Sequence, residues 1–425
     1  MRLTVHLAVA CIISAETVLS FPGNPNAQSS EPEMPVLAHS YVPVRMVTRG
    51  PLYHWFAYYD KLAFDPTSRY TLAMEVDFED RMPEADDSIT VGMVDLEDRD
   101  RWIPLGKSRA WGWQQGCMLQ WRPASADEVM WNDREGDRFV CRIKNVRTEA
   151  ARTVPYALYT MSPDGSWGLS LDFERVDDMR PGYGYAGIAD RNVDVFAPDD
   201  MGIYRVDIES GRGELIVTIA DVAAIPYPNG DISAAKHYFN HLLISPDGKR
   251  FIFLHRWRMP GETRWSTRML TAAADGSDIR VVDDNGLTSH FIWWDGSTIL
   301  AWSRQPSHGQ RFYLFDDDGS GGIEPIGVDE MTRDGHCTIL PGGEWILNDT
   351  YPDGERMQDV YLYHVPTGRK VTLARFRLPE EYRGELRIDI HPRFSPDGRY
   401  VTVDAAHEGY GRQVYLLDIG RIVSK

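Results

Sequence analysis

The chain has 425 residues, enough for two or three ordinary domains or one large fold, and 43% of them are hydrophobic, ample for a core. A formal charge of −18 excludes general affinity for nucleic acid or acidic membranes, which needs a basic surface. Past the N-terminus there is no apolar run of about 18 residues, so no membrane span is expected.

The opening segment, "MRLTVHLAVACIISAETVLSFPGNPNAQSS", has one arginine, an apolar stretch and then a Pro/Asn/Ser-rich tail. It reads as a signal peptide or unstructured N-terminus over residues 1–28, implying a periplasmic or secreted protein. Three cysteines follow it, Cys117, Cys141 and Cys337, with no CxxC. An odd set at these spacings gives no disulfide framework, and buried free thiols are expected.

From residue 40 onward one short signal recurs. "SPDG" or a degraded copy stands at Asp65 (DPTS), Trp121 (WRPASADE), Ser162, Ser245, Trp294 (WDG), Leu340 (LPGG) and Ser395. Each copy lies between two short apolar runs, as in "LLISPDGKRFIFL", and proline followed by Asp-Gly is hairpin-turn chemistry. A third run follows ("GIYRVDI", "RMLTAAA", "RFYLFDD", "DVYLYHV", "QVYLLDI"), and often a fourth ("GELIVTI", "RKVTLARF"). Seven such four-stranded antiparallel units predict an all-β, seven-bladed β-propeller over residues 40–425, as a single domain. The last unit ends on its third strand, and "SYVPVRMVT" can supply the fourth and close the ring.

The repeat sorts the polar residues. Counting four back from the turn gives Lys61, Cys117, Leu158, His241, His336 and His391, and the shortened fifth unit places His290 at the same point. Four adjacent blades therefore aim a histidine at one axis. Clustered neutral imidazoles suit a divalent metal, and three of the four are expected to bind one while the remaining one does acid–base work. The second strands end at the same mouth. Their loops carry Arg134 in "NDREGDR", Arg175, Arg180, Tyr183 and Tyr185 in "FERVDDMRPGYGYAG", His255, Arg256 and Arg258 in "HRWR", and His407 and Arg412 in "HEGYGR". Guanidinium pairs bidentately with carboxylate and phenol can donate or accept a proton, so this mouth suits an acidic sugar.

Repeated SPDG hairpins together with "KHYFNHLLISPDG", "SHFIWWDG" and "DIHPRFSPDG" resemble the oligogalacturonate lyases, within the wider group of TolB-like propellers. The resemblance implies cleavage of uronate chains by β-elimination, with a manganese ion on the substrate carboxylate and a histidine removing the C5 proton beside an arginine. Carried over by motif, His241 is the base and His290 and His391 are metal ligands. Where the family has His-Pro-His preceded by Gln, this chain has His391-Pro392-Arg393 and Ile388. His336 in "DGHC" is the expected replacement ligand, ahead of Asp389 or Cys337, and zinc or calcium are alternatives to manganese. The ulvan lyases, which use His and Tyr with Arg, are a second comparison, although no histidine lies between His54 and His237 here.

These readings give a lyase with His241, Arg256, Arg180 and Tyr185 as catalytic residues. Lys61, Arg134, Tyr183, His237, Arg258 and His407 are expected to bind an acidic oligosaccharide, and His290, His336 and His391 the metal. A monomer or weak dimer is expected, with no nucleic-acid partner. The alternative is a non-catalytic propeller that binds glycan or protein partners. No G-x-S-x-G motif supports a serine hydrolase.

Overall fold

Turn chemistry repeats through the molecule as the sequence predicts. In the computed structural model, which describes residues 38–406 and 409–424, the Ser245 hydroxyl donates to Asp247 at 2.7 Å and accepts the Arg250 amide at 3.1 Å. Gly248 takes φ +70°, the left-handed value a residue with a Cβ adopts only at a cost. The same serine–aspartate bond recurs at Ser162–Asp164 (2.6 Å) and Ser395–Asp397 (2.5 Å).

These hairpins build seven antiparallel sheets, six of four strands and one of five. Blade one runs over Tyr53–Trp55, Tyr70–Val76, Ile89–Asp95 and Arg101–Ser108. Blade four comprises Lys236–Ile244, Arg250–Arg258, Ser266–Ala273 and Arg280–Asp283, with consecutive strands paired antiparallel. Blade seven contains Arg393–Phe394, Tyr400–Ala405 and Gln413–Asp418, and Val44–Met46 pairs antiparallel with the last of these, Val44 opposite Leu417. Ala38–Ser40 adds an outer strand to blade six.

Blades are held face to face by apolar packing, which explains why their second strands read as nearly continuous hydrophobic runs. Seven of the nine residues of Arg250–Arg258 are buried, because both faces of the strand meet a neighbouring blade. Leu169, Ile203, Phe239 and Phe253 join blades three and four, and Leu254, Met269, Phe291 and Ile299 join blades four and five. Each such side chain contributes roughly 1.5–3 kcal/mol by leaving water. Cys117, Cys141 and Cys337 are buried free thiols, and burial pushes the Cys141 thiol up to about 12.

The described residues all belong to one compact unit. The leader expected over residues 1–28 lies outside the described residues, as does His407. No helix among the described residues is long and apolar enough to cross a membrane. One connection departs from expectation. "FERVDDM" is a helix, Phe173–Met179, rather than a plain loop, because Phe173, Val176 and Met179 fall at helical spacing and bury one face.

Candidate active site

The inner strands of blades four and five are interrupted at their histidines. Strand pairing shifts register between Asn240 and Leu243, and again between Thr288 and Phe291. The extra residues bulge the strand, and His241 sits in the bulge at φ +53°. Bulges re-aim side chains, and strained backbone of this kind concentrates at functional sites. His391 has the same left-handed backbone, φ +45°, just before the inner strand of blade seven.

The four histidines converge. Ring centroids lie 4.2 Å apart for His290–His336 and 4.1 Å for His336–His391, while His241 sits 4.9 Å from Tyr58 and stacks on Phe291. Carboxylates behind them set the tautomers. His336 Nδ1 donates to Asp349 at 2.9 Å and His290 Nδ1 to Asp334 at 2.9 Å, so each Nε2 keeps its lone pair, that of His290 facing the Tyr351 hydroxyl at 3.5 Å. A carboxylate behind an imidazole is how metal-binding histidines are commonly oriented. Burial lowers the pKa of His290 despite Asp334, and lowers that of His391 well below its ordinary value, so both are held neutral. Burial opposes charge on His336 too, but Asp349 and Asp389 outweigh it and the pKa is raised.

The donor atoms of His336, Asp389 and His391 all lie within 4.8 Å of one another, and all three residues are buried. Two imidazoles and a carboxylate at that spacing fit a divalent first-row metal. Asp389, rather than His290, is thus the third donor grouped with this pair. Cys337 packs among apolar side chains instead. Ile388 is buried in an apolar cluster, and Arg393 pairs with Asp404 at 2.9 Å, so neither position supplies a ligand.

Beside this group opens a cavity of about 300 Å³ that contains His241, His290, Arg180, Arg256, Tyr58, Tyr183, Trp265 and Tyr351 among its walls. Arg256 is 7% exposed, and its Nε is buried without a partner. Arg180 also has an unpartnered Nε and lies 3.5 Å over the Tyr183 ring and 4.7 Å from that of Trp265. Neither guanidinium has a carboxylate partner among the described residues. Two cations left unpaired in one enclosed space are arranged for an anionic ligand, since a buried charge without a counter-ion is costly. His241, with its pKa lowered to about 4 by burial against the pull of Asp60, is a neutral imidazole in the same cavity.

Other residues expected at the site are placed elsewhere. Tyr185 is fully buried, stacked on Phe173 at 4.3 Å, with its hydroxyl accepting from Asn132 at 2.9 Å, because the helix after blade three's second strand folds it into the core. His237 Nδ1 accepts from His255 Nε2 at 2.8 Å, and His255 Nδ1 accepts from Arg268 at 3.0 Å, a chain internal to blade four. Arg134 donates to the Ala85 carbonyl at 2.6 Å, and Lys61 is buried 3.0 Å from Asp60. Arg175 is spent on Asp190 and on the carbonyls of Val195 and His237. Arg258 ends its strand opposite Lys236, outside the cavity wall. Tyr58, Trp265, Asp334 and Tyr351 line the cavity without having been singled out for it. Only Tyr58, three residues before Lys61, lies close to a position that the repeat places on the ring.

An oligogalacturonate lyase in complex with manganese superposes with a TM-score of 0.64 at 17% identity, covering 92% of this chain and 96% of that one. The shared feature is the fold. An oligogalacturonate lyase from Vibrio parahaemolyticus gives 0.61 at 14% identity over 90% of this chain and 97% of its own. TolB from Acinetobacter baumannii gives 0.40 at 14% identity over 82% and 80%. No family model and no curated protein matches the sequence.

Proposed function

We propose that this protein is an exported, metal-assisted polysaccharide lyase that cleaves uronic-acid-containing oligosaccharides by β-elimination. The observation that carries this reading is the meeting, in one cavity, of two arginines without carboxylate partners and a neutral histidine, with the wall residue His290 only 4.2 Å, ring to ring, from His336 of the adjoining His/Asp group. The shared fold with two oligogalacturonate lyases supports it.

Removing the proton α to a carboxylate needs the developing enolate-like charge to be stabilised and a base held at the carbon. Arg256 and Arg180 bind the substrate carboxylate and hold it where His241 faces C5. His336, Asp389 and His391 would hold a divalent metal, manganese by resemblance, which would supply Lewis-acid charge to the site. Trp265 and Tyr183 offer flat faces against the sugar.

The test is the ultraviolet absorbance of a 4,5-unsaturated uronate, followed across a panel of uronate oligosaccharides. His241→Ala should abolish product while leaving metal content unchanged, and His336→Ala should lower both metal content and turnover. A purified protein that holds no metal, binds glycan and forms no unsaturated product on any of them would instead be a binding propeller.

A further inference from the structure

The hydrogen bonds around His241 assign its tautomer. Tyr59 donates its hydroxyl proton to the Phe291 carbonyl at 2.8 Å and accepts the Phe291 amide at 3.0 Å. Having no second proton, Tyr59 can only accept from His241 Nε2, 3.3 Å away. The Asp60 carboxylate, 3.6 Å from the same nitrogen, favours the same arrangement. Nε2 therefore carries the hydrogen, and Nδ1 holds the basic lone pair. The group at Nδ1 is the Tyr58 hydroxyl, at 3.3 Å, and both Tyr58 and His241 line the cavity. The other two tyrosines of the wall are engaged differently. Tyr183 accepts from Arg387 at 2.9 Å, and the Tyr351 hydroxyl stands 3.5 Å from His290.

Resting on the lyase reading, we propose that Tyr58 and His241 are an acid–base pair acting on one face of the sugar, so that the elimination is syn. Separation decides the stereochemistry. Groups that work on opposite faces of a pyranose stand several ångströms apart, about 6.5–9.5 Å for the two carboxyls of inverting glycosidases. A hydroxyl and a nitrogen 3.3 Å apart reach one face only. Syn elimination requires C5–H and C4–O4 to be cis, as in D-glucuronate and D-mannuronate. In D-galacturonate and L-guluronate the two bonds are trans. The geometry thus points to a glucuronate- or mannuronate-type substrate, not the galacturonate named for the structural neighbours.

The step balances without a co-reactant. The C5–H bond breaks and its proton goes to His241 Nδ1. The C4–O4 bond breaks as the C4=C5 double bond forms, and the Tyr58 proton goes to O4. The proton on Nδ1 then crosses to the Tyr58 phenolate, which resets the pair.

The experiment compares initial rates of unsaturated-product formation on glucuronan and mannuronan with those on polygalacturonate and guluronan, using the metal-loaded protein and its Tyr58→Phe variant. Expected are cleavage of a cis substrate in preference to both trans ones, and a fall in kcat of about 10²–10⁴-fold in Tyr58→Phe at unchanged KM and metal content. Preference for polygalacturonate or guluronan, or a folded Tyr58→Phe variant within about threefold of the parent, overturns the pair and leaves the lyase reading standing. Should Tyr58→Phe not fold, the substrate preference of the parent protein decides alone. Absence of unsaturated product from all four polymers removes the lyase reading and this proposal with it.

Discussion

Arg256 occupies a position that folding alone does not favour: a guanidinium 7% exposed, with no acid beside it among the described residues. A charge in such a place is kept at the expense of stability, because its desolvation is not offset until an anion arrives. Arg256→Met should therefore lower kcat/KM by about 10²–10³-fold, the usual effect of losing one charge-stabilising donor. Thermal midpoint should stay level or rise. A drop in both would mean that Arg256 is a structural cation after all. The arginine was legible as a candidate because "HRWR" ends a strand at the mouth of the ring. Its freedom was not legible, since that depends on which acids the other blades bring near. Asp389, two residues before His391, was a lesser candidate in the sequence; its place within 4.8 Å of the His336 and His391 donors, with Arg387 2.9 Å away as its counter-charge, came only with the fold.

At the scale of the element, blade four contains a hydrogen-bond chain whose directions are all determined. Arg268 can only donate, so His255 accepts at Nδ1 and donates from Nε2, and His237 accepts at Nδ1 and donates from Nε2 to the Ile232 carbonyl at 3.1 Å. Neither ring can take a second proton without breaking the chain. Burial lowers the His237 pKa to about 4 and that of His255 well below its ordinary 6.5. A histidine with a depressed folded-state pKa contributes stability that is fully present above the unfolded value and lost as pH falls through the folded one. Acidification from about 6.5 toward 4 should therefore cost about 3 kcal/mol through His237. Thermal melts across that window measure it, and His237→Gln should flatten the slope. In sequence His237 was expected to bind substrate and His255 to stand on a loop at the mouth of the ring. Pairing across one hairpin, His237 beside His255, used them up.

For the whole molecule, the junction between blade seven and the segment entering the channel from blade one is polar and fully enclosed. Asp404 accepts the amides of Phe56 (3.1 Å) and Ala57 (2.9 Å), and Arg393 supplies its counter-charge. Arg393 also donates to the His391 carbonyl, which ties this junction to the His/Asp group. Arg393→Met should leave Asp404 buried and unpaired, at a cost of about 3–5 kcal/mol in denaturant unfolding. Adding Asp404→Leu should recover part of that loss, and a double variant no better than the single would contradict the pairing.

The ring itself was legible from the chain because its signal is local. Each SPDG copy needs only its own serine, proline, aspartate and glycine to turn, and seven similar hairpins with apolar flanks have few ways to bury their faces other than against one another. Repeat position likewise aligned His241, His290, His336 and His391 before any coordinates. Tertiary structure decided what each of them does. Whether a side chain is a base, a ligand or a core partner depends on its contacts across blades. Tyr59 fixing the hydrogen on His241 joins residues 182 apart, Asp349 turns His336 across one hairpin, and Phe173 draws Tyr185 out of reach across a new helix. The sequence by itself determined the architecture and the axial ring of histidines. Proton positions and unpaired charges came only with the folded contacts, since they are set by distance and burial, not by spacing along the chain.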